Sequence, residues 1–476
     1  MADDLGVFAA ETGLDPQDDA ALRRLGHRML DEMFDHVAAL RAGPVWREMP
    51  EDVRAELRRP LADAPRGAEA AYADFRRLVL PYATGNLHPG FMGWVHGGGT
   101  LVGMLAEMLS GGLNANLGGR NHAPIEIERQ VIAWAARHLG LPPSAGGVLV
   151  TGTSIANFIA VLAARRHALG PEVRRHGVQG APLTAYGATG AHACVPRALD
   201  MAGLGSEALR LIPAPPGGPM DMAALAAAVA ADRAAGKRPF LVAATAGSVD
   251  TGAIDDLPAI AAFCRREGLW FHVDAAFGAF ATLSPTLRPL VAGIGEADSI
   301  AFDFHKWGQV PYDAGCVLVR DQASLLAAFA QDAAYLRTEA RGLAGNPPWP
   351  CDLGPDLSRG FRALKVWMTL ETYGAARLGA VAENCCAVAR HLAARIDREP
   401  ALERLAPVPL NIVCFRARKR DDAGNRDLVA EVQEAGEAAP STTMIDGRLA
   451  IRAAIVNHRT MPADADRLVD AVLARL

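Results

Sequence analysis

Between about residue 86 and residue 365, short apolar runs alternate with stretches that repeat apolar residues every three or four positions. The runs GGVLVT (146–151), PLTAYGA (182–188), PFLVAAT (239–245), LWFHVDAAF (269–277), DSIAFDF (298–304) and AGCVLVR (314–320) are of strand length. Helical periodicity fills several of the intervals, notably IANFIAVLAARRHAL and DLPAIAAFCRREG. Near-continuous apolar strands separated by helices predict an α/β fold with a mainly parallel central sheet, covered by helices on both faces. Ligands of such sheets sit at the carboxyl ends of the strands.

The two ends of the chain read differently. DDAALRRLGHRMLDEMFDHVAAL has helical spacing and prolines break up 44–64, which predicts a helical segment over residues 1–85 without an obvious core of its own. Such a segment is expected to pack on another part of the protein or on a partner subunit. In the last hundred residues LNIVCFRA, TTMIDG and RLAIRAAIV predict strands, with Asp446-Gly447 as a hairpin turn and ADADRLVDAVLARL as a closing helix. The expected organisation is a helical segment over 1–85, a large α/β domain over 86–365 and a small α+β domain over 366–476. No internal repeat interrupts it.

Composition narrows the functional classes. With 50% apolar and 21% charged residues the chain is of globular rather than disordered type. A net charge of −5 and the lack of a basic stripe with interleaved aromatics argue against a nucleic-acid partner. The acidic start lacks the regions of a signal peptide, and no run of about 18 uncharged apolar residues appears, so a cytoplasmic protein without a membrane anchor is expected. The seven cysteines form no CxxC pair and no metal-ligand spacing, which points to reduced thiols and no metal site. Of 48 basic residues only Lys237, Lys306, Lys365 and Lys419 are lysines, so any lysine chemistry has four places to occur.

Pyridoxal 5'-phosphate (PLP) needs an amine for a Schiff base, an acid beside the pyridine nitrogen, donors for a phosphate and a flat surface against the ring. Candidates for all four lie in order along the sheet region. Lys306, in FDFHKWG at a strand end between His305 and Trp307, is awkward for a solvated charge, and burial there would favour imine chemistry. Lys237 and Lys419 read as exposed turns and Lys365 as an amphipathic helix residue. Asp274, ending the apolar strand of FHVDAAFG, reads alone as a cap or turn aspartate, but a protonated pyridine would give it a partner. Thr153 and Ser154 sit where a strand gives way to a helix, a place that suits a phosphate and also suits a simple N-cap. His192 opens another predicted helix, either as a structural residue or as a surface for the ring.

Together, HPGF, NANLGG, TGTSIAN, GAHACVPRA, FHVDAAFG and FHKWG resemble the group II PLP-dependent amino-acid decarboxylases, the family of aromatic-amino-acid, glutamate and cysteine-sulfinate decarboxylases. The resemblance runs from about residue 80 into NIVCFR and RAAIVNHRT, with VDAAFG followed by HKW as its most specific part. It implies a PLP-dependent fold-type I, aminotransferase-like structure and a homodimer with the active site between subunits and the N-terminal helices exchanged. It further implies Lys306 as the Schiff-base lysine, Asp274 at the pyridine nitrogen and His192 stacked on the ring opposite Ala276. Thr153 and Ser154 would bind phosphate, with Asp303 and His305 nearby and Thr245 at the cofactor's polar edge. The substrate pocket would draw on His88, Trp94, His96, Asn116 and Arg120.

The chain departs from that pattern at one point. Family members acting on aromatic amino acids carry, on a mobile loop, a tyrosine that protonates Cα. The matching RTEARGLAGNPPWPCDLGPDLSRGF contains none and offers Trp349, Cys351 and Asp352 instead, while Tyr335 precedes it at a framework position. The expected reaction is decarboxylation of an L-amino acid to the amine, with His192 or a water returning the proton. The alternative is oxygen-consuming decarboxylation and deamination to an aldehyde; an inactive binding or regulatory protein of the same fold is a third reading. Asn116 in NANLGG resembles the acidic-substrate branch and Arg120 suits a side-chain carboxylate. Trp94 in turn suggests an aromatic wall, with Gly118 and Gly119 leaving space, and an aromatic substrate is the expectation.

Overall fold

The apolar runs assemble in the computed structural model as one seven-stranded sheet. In chain order the strands are β1 Phe91–Met92, β2 Gly146–Val150, β3 Leu183–Ala188, β4 Leu209–Ile212, β5 Arg238–Thr245 and β6 Trp270–Asp274. They continue as β7 Ser299–Asp303, β8 Gly315–Val319, β9 Leu402–Arg404, β10 Ile412–Ala417, β11 Ala439–Ile445 and β12 Arg448–Ala454. The large sheet has the order β2-β8-β7-β6-β5-β3-β4. Strands β4, β3, β5, β6 and β7 pair in parallel, and β3, β6 and β7 are buried along their whole length. Strand β8 is antiparallel to both β7 and β2. Only residues 304–314 separate β7 from β8, too short a connection for the helical crossover that a parallel pair needs. The chain therefore turns back on itself at the carboxyl edge of the sheet, and Lys306 lies in that return.

The structure describes residues 14–16, 18–61, 63–331 and 338–476. They belong to two compact units, Met1–Gly85 and Asn86–Leu476. In the first, the helix Asp19–Ala39 starts on Asp18, whose side chain accepts from the Ala21 amide at 2.9 Å. The helices Glu51–Leu57 and Ala68–Asp74 follow. Among the described residues of this unit the buried hydrophobic side chains are Leu25, Val45, Tyr72 and Leu78, while Leu22, Phe34, Leu57, Phe75 and Val79 are exposed.

The second unit carries both sheets. Its five-stranded sheet has the order β1-β11-β12-β10-β9. Strands β11 and β12 form the expected hairpin, with Asp446 at φ +46° and Gly447 at φ +74° in the left-handed turn that matches strand twist. The helix Arg362–Asp397 buries Cys385 and Cys386 among Leu392, Ile396 and other apolar residues, so the adjacent cysteines are packing groups. Among the described residues no helix is long and apolar enough to cross a membrane.

Candidate active site

The carboxyl ends of the parallel strands converge on a cavity of about 330 Å³. Thr151, Gly152, Thr153 and Ser154 follow β2, His192 and Cys194 follow β3, and Thr245 ends β5. Asp274 ends β6 with Ala276 just beyond, and Asp303 ends β7 ahead of His305 and Lys306. Trp94, Val95 and His96, which follow β1, close another side together with Tyr312. The two sheets thus contribute to one site, because β1 carries the chain from the smaller sheet to the rim of the larger.

The helix Thr153–Leu169 points its first turn at this cavity. Its leading amides and the Thr153 hydroxyl, which is buried without a hydrogen-bond partner, form a site matched to an anion. The close approach behind it demands glycine: a Cβ on Gly315 would lie 2.4 Å from the Gly152 Cα. Opposite, the Lys306 Nζ lies 2.9 Å from Asp303 Oδ2, while Asp303 Oδ1 is buried without a partner. The His305 Nδ1 accepts from the Ala314 amide at 3.0 Å, which leaves its proton on Nε2, 3.6 Å from Asp303 Oδ2. Burial pushes the His305 pKa down and Asp303 opposes the shift.

Strand periodicity explains the surroundings of Asp274. Trp270, His272 and Asp274 alternate onto the face of β6 that meets the helix Thr153–Leu169, while Phe271 and Val273 face the opposite core. Asn157 Nδ2 donates to Asp274 Oδ2 at 3.0 Å, the Cys194 thiol lies 3.5 Å from the same oxygen, and the Ala276 amide donates to Oδ1 at 3.2 Å. Asn157 Oδ1 meets His272 Nε2 at 2.8 Å, and His272 Nδ1 meets Ser299 Oγ at 2.8 Å. Full burial lowers the His272 pKa to about 4, so the ring is neutral at physiological pH.

Rings line the side of the cavity that β1 supplies. Trp94 stacks on His96 at 6.0 Å, His96 meets Tyr312 edge-on at 5.7 Å, and Tyr312 lies over His305 at 4.3 Å. Trp94 and Tyr312 are 52% and 46% exposed, enough to meet a ligand directly. Burial lowers the His96 pKa, with Lys306 and Arg452 adding to the downward shift.

Not every residue that the sequence assigned to this site is found in it. His88 is buried, its Nδ1 accepting from the Gly90 amide at 2.9 Å, and it does not line the cavity. The Asn116 side-chain oxygen accepts from the Gly118 amide at 2.9 Å and the Arg359 amide at 3.0 Å, holding a turn. Asn116 and Arg120 line a different cavity, of about 430 Å³, together with Cys351. Arg120 lies over the Trp349 ring at 4.9 Å. The space expected at Gly118 and Gly119 is filled: added Cβ atoms would meet the Leu357 carbonyl oxygen at 1.8 Å and the Trp349 ring at 2.7 Å. Trp349 is 1% exposed and donates its indole N–H to the Gly345 carbonyl at 3.1 Å, so it is a packing residue rather than a free loop side chain. Asp352 accepts from the Trp349 amide at 2.9 Å. Tyr335 lies outside the described residues.

The sequence reading missed Asn157, Cys194, His272, Ser248, Val249 and Tyr312. Two of these had a signal. Asn157 follows Thr153 by one helical turn, and His272 precedes Asp274 by one strand period. Arg452 was missed as well: its guanidinium donates to the Val249 and Gly93 carbonyls, with Nη2 buried and unpartnered.

Known proteins share the sequence family and the fold. The family model described as the pyridoxal-dependent decarboxylase conserved domain matches residues 50–418. An aromatic-L-amino-acid decarboxylase of Bacillus atrophaeus is 31% identical over 451 residues, covering 92% of each chain. A phenylacetaldehyde synthase of Arabidopsis thaliana is 29% identical and covers 93% of each. The crystal structure of Oryza sativa TDC with PLP and tryptamine superimposes with a TM-score of 0.88 at 26% identity, over 97% of this chain and 99% of that one. A match of this extent, on a fold that gathers an amine, a buried acid and a helix N-terminus at one strand edge, settles the class: the chain belongs to the pyridoxal-dependent decarboxylases, carboxy-lyases that act on amino acids with pyridoxal 5'-phosphate.

Proposed function

We propose that the chain converts an aromatic L-amino acid to its amine and carbon dioxide. The observation that carries the substrate class is the run of rings from Trp94 through His96 and Tyr312 to His305, on the wall of the cavity that holds Lys306. Offset and edge-on contacts with such a wall favour an aromatic side chain by about 0.5–1.5 kcal/mol per pair beyond burial.

The residues present fit the cofactor. The unpartnered Thr153 hydroxyl, Ser154 and the helix N-terminus would take the phosphate, Lys306 the aldehyde carbon, and Asp274 the pyridine nitrogen. His192 and Ala276 would pack against the ring, with Thr245 at its polar edge and His305 and Asp303 beside the phosphate and the lysine. When bound, PLP supplies a protonated pyridine ring that accepts the electron pair left as carbon dioxide departs. Asp303 holds the Lys306 amine at the floor of the cavity, where it would meet the cofactor's aldehyde carbon. The aromatic wall would hold the substrate side chain at the side of the cavity that β1 supplies.

A proton must then return to Cα. The segment 338–361 brings no tyrosine, but Tyr312 stands in the cavity wall, with a phenol that burial and the nearby Asp303 keep protonated. Tyr312, with His192 as the second candidate, supports the amine as product. Turnover of L-phenylalanine, L-tyrosine, L-tryptophan, L-DOPA, L-glutamate and cysteine sulfinate, followed together by carbon dioxide, oxygen, ammonia and product, tests the proposal. Amine from an aromatic substrate with little oxygen uptake is expected; turnover confined to the acidic substrates would overturn it. Tyr312→Phe is expected to raise the aldehyde-to-amine ratio about tenfold or more. An unchanged ratio would assign the proton to His192 or to water.

A second reading rests on the missing loop tyrosine: oxygen consumed in step with carbon dioxide, giving aldehyde and ammonia from the unaltered enzyme. Its support is the tyrosine-free segment and the likeness to a phenylacetaldehyde synthase.

The enzyme is further proposed to work as a cytoplasmic homodimer. The seven cysteines are unpaired, as in a reducing compartment, and the first unit exposes Leu22, Phe34, Leu57, Phe75 and Val79, which a partner copy would cover. Removing residues 1–80 should cause aggregation at micromolar concentration, read by light scattering. A soluble, active, monomeric truncation would exclude the dimer.

A further inference from the structure

The buried polar chain behind Asp274 has a direction that its geometry fixes. The Trp270 indole N–H, which can only donate, gives its hydrogen to Ser299 Oγ at 2.8 Å. At the other end the Asp274 carboxylate can only accept, so Asn157 turns Nδ2 to it and Oδ1 to His272 Nε2, and Ser299 gives its own hydrogen to His272 Nδ1 at 2.8 Å. With Nδ1 accepting, the neutral His272 carries its proton on Nε2 and donates it to Asn157 Oδ1 at 2.8 Å. The Asn157 amide keeps Nδ2 toward Asp274 Oδ2, at 3.0 Å. Every link is buried, with Ser299 fully so, His272 and Asn157 at 1% and Asp274 at 5% exposure. Reversing one link would leave two donors or two acceptors facing each other away from water.

The register of the sheet and helix makes this chain possible. His272 and Ser299 are paired neighbours on β6 and β7, and Asn157 lies one turn into the helix over that face. No residue of the relay needs to touch the substrate.

We infer that the relay Trp270–Ser299–His272–Asn157 is a positioning device that holds Asp274 in one orientation and surrounds it with donors, so that it meets the cofactor's pyridine nitrogen purely as an acceptor. Asn157 and His272 are positioning residues in this reaction. The inference rests on the reading above that Asp274 faces that nitrogen. Donors behind a carboxylate make it the weaker base in a shared hydrogen bond and keep the proton on the ring. Without Asn157 the proton moves toward Asp274 and the ring becomes a poorer electron sink.

The test uses the holoenzyme loaded with PLP labelled with ¹⁵N at the pyridine nitrogen, whose chemical shift reports the position of the proton without any turnover. Asn157→Leu, which keeps volume and removes the donor, is expected to shift the ratio of protonated to unprotonated nitrogen about tenfold toward the unprotonated form. Ser299→Ala should shift it in the same direction by less, since it frees the His272 tautomer. Combined with Asn157→Leu it should add nothing, because its effect passes through Asn157. Asn157→Ser serves the same comparison should the leucine variant not fold. Asp274→Ala is the control for the underlying reading. A nitrogen moved by Asp274→Ala but not by Asn157→Leu or Asn157→Ser overturns the relay alone. One unmoved by Asp274→Ala overturns the assignment of Asp274, and the relay with it. Additive Ser299 and Asn157 effects would make the two residues independent structural neighbours and likewise overturn the inference.

Discussion

Lys306→Ala is expected to abolish the cofactor's imine absorbance and to lower turnover by on the order of 10⁴-fold or more. The reason is positional. Among the lysines only Lys306 lines the cavity, with its Nζ 2.9 Å from Asp303. Lys237 lies 3.8 Å from Asp232 beside β5, and Lys419 is exposed. Lys365, which the sequence pattern marked as an amphipathic helix residue, is buried with its ammonium paired to Glu107. None of these three lines the cavity, so none is placed to replace Lys306. Borohydride reduction of the native enzyme followed by peptide mapping checks the assignment directly: the label should fall on Lys306, and a label on Lys237, Lys365 or Lys419 would refute it.

The second large effect is expected at Asp274. Asp274→Ala should retain part of the bound PLP, because the phosphate site at Thr153 and Ser154 is untouched, while turnover falls by on the order of 10²–10³-fold. The same substitution strands the Asn157 amide and the Ala276 N–H, which now face Asp274, at a cost of roughly 1–3 kcal/mol per buried donor left unpaired. A lower melting temperature should therefore accompany the loss of activity. Measuring turnover on cofactor-saturated, folded protein separates the two effects. Near-normal turnover in that sample would place the pyridine partner elsewhere.

Most of the large sheet could be read from local pattern. The runs at 146–151, 182–188, 239–245, 269–277, 298–304 and 314–320 became β2, β3, β5, β6, β7 and β8. Strands β1, β4 and β9 escaped because each has four residues or fewer, too short for a period to declare itself. Strand direction escaped too: nothing in AGCVLVR distinguishes an antiparallel β8 from a parallel one. The sheet was expected to be mainly parallel and is so, but the reversal at β8, which presents Lys306, follows from the length of a connection rather than from the strand's own residues.

The candidate site divides in the same way. VDAAFG and HKWG placed an acid and an amine at successive strand ends, and a strand end in a parallel sheet is already a functional address. What a motif states is neighbourhood along the chain, not the direction of a side chain. HPGF and NANLGGR pointed to His88, Asn116 and Arg120 as pocket residues, yet their side chains hold turns or face another cavity. Gly118 and Gly119 read as open space, but glycine there admits the Leu357 carbonyl and the Trp349 ring.

By itself, then, the sequence determined the α/β class and the order of Asp274 and Lys306 along the sheet, because strand and helix spacing convert directly into position, while the cofactor was legible through the resemblance of these motifs to a known family. Only the tertiary structure decided what surrounds those groups. Trp94, His96, Tyr312 and His305 come from two segments more than 200 positions apart and become one aromatic wall when β1 joins the smaller sheet beside the large sheet's rim. Asn157, His272 and Ser299 lie on a helix and two strands and become one hydrogen-bonded relay when that helix packs on β6 and β7. Contacts of that kind depend on long-range packing and register, and no local spacing encodes them.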